Sequence, residues 1–167
     1  FYYGGFGDKL LEIDREKRSI AVIPFTNMNN DPEQDYFSNG ITEDILNHLV
    51  KISDLNVKSR TSTLQYKNTE KTIVQIGEEL NVNHVVEGSV RRVGNQIRVV
   101  VQLIDAQKDI HLWSETYDRE LKDVLALQSE IAIEIAQALE SRLTTAEKEK
   151  INKEVTTDVS AYDFYLQ

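Results

Sequence analysis

Val85-Val86-Glu87-Gly88-Ser89-Val90-Arg91-Arg92-Val93, the pair Gly94-Asn95, and Gln96-Ile97-Arg98-Val99-Val100-Val101-Gln102-Leu103-Ile104-Asp105 read as two β-strands around a tight turn. β-Branched residues suit a pleated, half-buried surface, and glycine at the first of two loop positions suits a type II′ hairpin turn. With a two-residue turn, Arg92 pairs with Ile97, Val90 with Val99, Gly88 with Val101 and Val86 with Leu103. That face is apolar, which predicts the core side. The other face sets Arg91 beside Arg98, Glu87 beside Gln102 and Val85 beside Ile104, a face for solvent or a partner.

Upstream, Ser19-Ile20-Ala21-Val22-Ile23-Pro24-Phe25 is nearly all apolar, as a strand covered on both faces should be. Residues 26–34, with Asn27, Asn29, Asn30, Asp31 and Pro32, carry turn chemistry because short amides and carboxylates bond to nearby backbone. From about Tyr36, the residues Phe37, Ile41, Ile45, Leu46, Leu49 and Ile52 recur at helical spacing. Residues 55–59 alternate as a second strand, residues 60–68 are polar, and residues 72–80 bury Ile73, Ile76 and Leu80 along a second helix. This order predicts a parallel pair of strands before the hairpin.

Downstream, residues 110–117 alternate as a fifth strand, predicted to carry His111, Trp113, Glu115 and Tyr117 on one side. From Leu121 a long helix follows, with Leu121, Val124, Leu125, Ile131, Ile135, Leu139 and Leu143 on its apolar face. The fold class is therefore α/β, of the α+β kind. A mixed five-stranded sheet in the order β-α-β-α-β-β-β precedes a long C-terminal helix.

Composition narrows the function. Within 167 residues, 28 acidic against 19 basic side chains leave a formal charge of −9, which opposes a phosphate backbone and predicts no nucleic-acid binding. The chain has no cysteine, so disulfides, thiolate metal sites and a cysteine nucleophile are excluded. Its three histidines have no i, i+4 spacing and no Gly-x-Ser-x-Gly elbow beside them. We expect no metal, no cofactor and no catalytic residues.

Ligands of open α/β sheets bind beyond the carboxyl ends of the strands. That rim would gather Asn27, Asp31 and Tyr36 with Arg60 and Thr61 after the second strand. Arg60 is the leading contact, because a guanidinium can hold a carboxylate or phosphate bidentately. Capping helices and ordering loops is the competing role for all five. Arg91 and Arg98, near the hairpin tip, form a possible interaction surface on an otherwise acidic chain. Trp113 suits the core better than a recognition role.

A set of short motifs carries a resemblance. It runs from Ile20-Ala21-Val22-Ile23-Pro24-Phe25 through Asp31-Pro32-Glu33-Gln34, Tyr36-Phe37, Gly40-Ile41-Thr42-Glu43 and Arg60-Thr61-Ser62. It continues with residues 87–92, Gln102-Leu103-Ile104-Asp105, His111-Leu112-Trp113 and Tyr117-Asp118-Arg119. In this order and spacing the chain resembles the TolB-like amino-terminal domain. The resemblance implies residues 1–18 as a linker or juxtamembrane segment, 19–143 as the domain, and 144–167 as a helical connector. That connector would lead into tetratricopeptide repeats, whose start Ala161-Tyr162-Asp163-Phe164-Tyr165-Leu166 is similar to.

Family members occur in bacterial signalling proteins, some with adenylate or guanylate cyclase domains upstream. The implied role is a non-catalytic regulatory or scaffold domain, binding a protein partner or small ligand within a membrane-tethered protein. The alternatives are a nucleotide-binding or cyclase-associated enzyme domain and a structural spacer acting as a homodimer. The tether would lie outside this sequence, with the domain on the periplasmic or extracytoplasmic face, or in the cytoplasm as the alternative.

Overall fold

The computed structural model describes residues 18–52 and 54–154, the side chains of 145–154 excepted. All but the last residue of the expected linker at 1–18, and the repeat-like segment at 161–166, lie outside them.

The first strand, β1 (Ser19–Val22), is buried throughout and is flanked by two parallel neighbours, β3 (Asn56–Val57) and β4 (His84–Val93). Burial on both faces explains its unbroken apolarity. Pro24 then lacks an N–H to continue a ladder. The Phe25 N–H donates instead to Thr42 Oγ1 at 3.0 Å, and that hydroxyl donates to the Ser38 carbonyl at 2.9 Å. Every buried backbone donor needs such a partner.

The chain rejoins the sheet at once as β2 (Thr26–Asn27), parallel to β4. The sheet accordingly has six strands where the turn chemistry of residues 26–34 suggested five. The Ile23 N–H reaches Val86 O and the Met28 N–H reaches Val90 O, so β4 is long enough to template the chain on both sides of the proline.

Helix α1 (Asp35–Lys51) follows a 3₁₀ turn at Pro32–Gln34, whose N-cap Asp31 accepts from the Glu33 N–H. Residues 55–59 supply only the two-residue β3, and the polar stretch after it folds into the short α2 (Arg60–Thr63) and a 3₁₀ turn (Leu64–Tyr66). Helix α3 (Ile73–Leu80) starts on a capping box in which Thr72 and Gln75 satisfy each other's backbone N–H, and it stops at Asn81 in the left-handed region (φ 55°). Asparagine tolerates that conformation better than most residues, so both ends are written locally.

The hairpin is formed by β4 and β5 (Gln96–Asp105) in the predicted register, Val90 to Val99 and Glu87 to Gln102 included. Gly94 opens its turn at φ 59°, as a type II′ turn requires. The sixth strand, β6 (Ile110–Glu120), lies antiparallel to β5 at the sheet margin, completing the order β3-β1-β4-β5-β6 with β2 beside β4.

A bulge near Leu112 corrects the expected face of β6. Leu103 pairs with Trp113 but Ile104 with His111, so one extra residue flips the alternation. Trp113 and Tyr117 pack on the core, and His111 stands on the other side of the sheet. Along the free margin of β6, the Thr116 N–H is taken by Glu115 Oε1 at 3.3 Å and the Asp118 carbonyl by Arg119 Nη1 at 3.1 Å.

The two sheet faces are covered unequally. On one, α1 and the long α4 (Val124–Glu154) bury Ile20, Val22, Val86, Val90, Val99 and Leu103 under Ile45, Leu49, Ile131, Ile135 and Leu139. Leu125, expected on the inner stripe of α4, is 71% exposed, and Leu127 and Gln128 turn inward instead. On the other face the cluster is small, with Ala21, Ile23 and Val85 of the sheet packed on Ile76 and Leu80 of α3, beside Tyr66. Beyond those contacts, no described helix covers this face of β4, β5 and β6.

Candidate functional site

Two places gather polar side chains. The first is the rim at the carboxyl ends of the strands. Asn27 Nδ2 donates to the Asp31 carbonyl at 3.0 Å and to Asp35 Oδ1 at 2.8 Å, while its Oδ1 accepts from the Asn29 N–H at 2.9 Å. Asn29 in turn clamps the Arg92 backbone through both its N–H and its carbonyl. Lys67 links Asp35, at 3.7 Å, to Asn39 Oδ1, at 3.4 Å. Short amides braced in this way order a loop.

Arg60 Nε stands 3.7 Å from Glu43 Oε2 over a cavity of about 20 Å³, lined also by Pro24, Asn39, Thr42 and Thr63. That volume is on the scale of a single water. Thr61 is exposed on α2, and Tyr36 is 86% exposed at the start of α1. The structure thus joins Asn27 to Asp31 and leaves Arg60, Thr61 and Tyr36 at separate points around that network.

The second place is a groove of about 540 Å³ between the uncovered face of β4 and β5 and the segment leading into α3. Glu87, Ser89 and Gln102 rise from its floor, and Tyr66, Lys71 and Thr72 form a wall. Lys71 Nζ is held by both oxygens of Glu79 at 2.8 Å, and the Tyr66 hydroxyl donates to Glu79 Oε1 at 2.7 Å. Burial, with help from the Glu79 carboxylate, pushes the Tyr66 hydroxyl up to about 12. The wall is therefore internally neutralised.

Glu87 differs. It is half-buried and has no hydrogen-bond or ion-pair partner among the described residues. Removal from water raises its carboxyl above the ordinary value, only partly offset by the charge of His111. Sequence reasoning placed Glu87 beside Gln102 on the outer face, and the helix start at 72 was also legible. What it lacked was the approach of residues 66–73 over that face, which turns an open surface into a groove.

Farther out on the same face, Arg91 lies directly across from Arg98. Arg98 is drawn off by a bidentate pair with Asp118, at 2.7 and 3.2 Å. Among the described residues no group of three or more His, Asp or Glu side chains is placed to hold a metal ion. No helix among them is long and apolar enough to cross a membrane.

The sequence profile of the second domain of HilA/YgeH-like transcriptional regulators matches residues 16–134. The chain belongs to this family. The family's description is that of a domain of transcriptional regulators. A provisionally named adenylate cyclase 3 of Rhizobium meliloti (strain 1021) is 46% identical over 151 residues, 90% of this chain and 26% of the relative. The chain thus spans about a quarter of that relative's length.

Among solved structures, TolB from Acinetobacter baumannii superposes with a TM-score of 0.55 at 23% identity, over 72% of this chain and 28% of its own. The C-terminal domain of LpoB from Escherichia coli gives 0.49 at 16%, over 64% and 84%. The TolB likeness establishes a shared fold, in agreement with the resemblance read from the motifs.

Proposed function

We propose that this domain is a non-catalytic regulatory module of a longer signalling protein. It binds a protein partner or small ligand and passes that state to adjoining tetratricopeptide repeats or to an upstream output domain. The observation that carries this reading is the unequal covering of the sheet. One face is sealed by two helices, while the other keeps a groove of about 540 Å³ with, in its floor, a carboxylate that no described residue pairs. Grooves with a few convergent polar groups are the usual places for ligands. Membership of a regulator family supports the same reading. We infer secondary contacts at Asn27, Asp31, Tyr36, Arg60 and Thr61, which lie at separate points of the rim.

A photo-crosslinking residue placed at Ser89 of the full-length parent in its own cells should form protein adducts that the same residue at Asn47, exposed on α1, does not. Equal yields at both positions, or none at Ser89, would remove the reading. The cyclase-associated alternative predicts turnover of ATP or GTP with divalent metal, abolished by changing Asp31 or Arg60. Finding it would replace the binding role.

For location, alkaline phosphatase and green fluorescent protein fused after residue 143 of the parent separate the extracytoplasmic face beside a membrane tether from the cytoplasm. We infer the periplasmic or extracytoplasmic face, with the cytoplasm as the alternative.

A further inference from the structure

Strand β4 carries two opposite charges on its outer face that no described residue pairs. Glu87 has no hydrogen-bond or ion-pair partner among the described residues, and neither does Arg91. Arg91 is exposed, and its cross-strand partner on β5 is another cation, Arg98, already held by Asp118. Like charges directly opposite one another weaken a sheet; Asp118 relieves Arg98, while Arg91 has no such partner among the described residues.

Glu87 and Arg91 are four residues apart on the same side of one strand, about 13 Å at the usual rise. Ser89 stands midway between them. A two-fold axis through Ser89 exchanges the two positions.

We propose that the uncovered face of β4 and β5 is a homodimer surface, in which Arg91 of a second copy enters the groove to meet Glu87 and the reverse pair forms across the axis. An isologous interface must be self-complementary, each residue meeting a different residue of its twin, and a plus-minus pair symmetric about one position satisfies that condition. The groove is wide enough for an arginine side chain beside Ser89 and Gln102. Met28 follows Asn27, the β4 partner of Val90, and falls beside Arg91; with Val93 and Val100 it adds apolar surface to the same face. The net charge of −9 on each copy repels at long range, but salt screens it beyond about 8 Å under physiological conditions. Close contacts then decide.

This inference rests on reading the open face as a binding surface, and it names the occupant. Analytical ultracentrifugation of the whole chain from about 1 µM to about 1 mM should show a monomer–dimer equilibrium. Glu87→Arg and Arg91→Glu should each weaken the dimer about a hundredfold, and the chain carrying both should regain it. Mixing the two single variants should yield heterodimers. Circular dichroism establishes that each variant is folded, and the double variant guards against a trivial loss.

A chain that stays monomeric throughout overturns the proposal. So does a dimer indifferent to both reversals, or one that the double variant fails to restore. A strict monomer that still forms foreign-protein adducts at Ser89 would leave the binding-module reading standing without this dimer. A dimer with no foreign adduct would do the opposite for an external partner.

Discussion

At Glu87 a carboxylate is kept half out of water without a hydrogen-bonding partner among the described residues. Its raised folded value means that the folded chain binds a proton more readily than the unfolded one. The charge therefore costs stability at neutral pH, and the cost fades as pH falls through the raised value toward the ordinary 4.5. Glu87→Gln, measured at concentrations where the chain is monomeric, should raise the thermal midpoint at pH 7. The gain should stay under about 1 kcal/mol after solvent screening and disappear near pH 4. A residue that destabilises its own domain is better explained by what it contacts from outside. Gly88, next along, shows the opposite logic. A β-carbon there would crowd the Val100 carbonyl and lie 3.0 Å from the Phe25 ring. Gly88→Ala should cost about 1–3 kcal/mol by overpacking, read as a lower denaturant midpoint at unchanged slope.

At the scale of elements, α3 and α4 are stabilised by different means. Helix α3 is eight residues long and depends on its capping box, so Thr72→Ala should cost about 1 kcal/mol. The loss should appear first as faster amide exchange at residues 74–80, ahead of the strands. Helix α4 is held by a deep stripe, and Ile135→Ala there should cost about 2–5 kcal/mol and speed exchange throughout the sheet.

These contrasts also explain what could be read from the sequence. The hairpin register was legible because Gly94-Asn95 fixes the loop length and the two faces differ in polarity. Helix α3 was legible because Ile73, Ile76 and Leu80 recur at helical spacing. Strand β2 was not, since two residues of turn-forming chemistry become a strand only when β4 lies alongside. The side taken by His111 was hidden by the bulge, and Leu125 fits the helical period without reaching the core. Of the candidate site, the charges on the outer face were visible and the groove was not, because residues 66–73 reach it through space.

At the scale of the whole molecule, acid response is set partly by one buried group. His84 Nδ1 lies 3.1 Å from the Ser19 carbonyl, tying the start of β4 to β1, and burial holds its imidazole below the ordinary 6.5. The unfolded chain then binds more protons between that lowered value and 6.5, so stability is complete above 6.5 and falls as pH drops through this window. Denaturant midpoints of the wild type should decline from pH 7 toward pH 5 relative to His84→Gln, whose curve should lack that component. Equal slopes would mean that His84 titrates alike in both states.

The margin of β6 has its own consequence for how the protein behaves when concentrated. An eleven-residue strand with a bare outer edge is a template on which further chains can add indefinitely, the first step toward fibres. Here Glu115 occupies an outward N–H and Arg119 an outward carbonyl, so an incoming strand would first have to displace the molecule's own side chains. The edge is thereby self-stoppered. Association through the sheet face can end at two copies, while growth along the sheet must first displace Glu115 and Arg119.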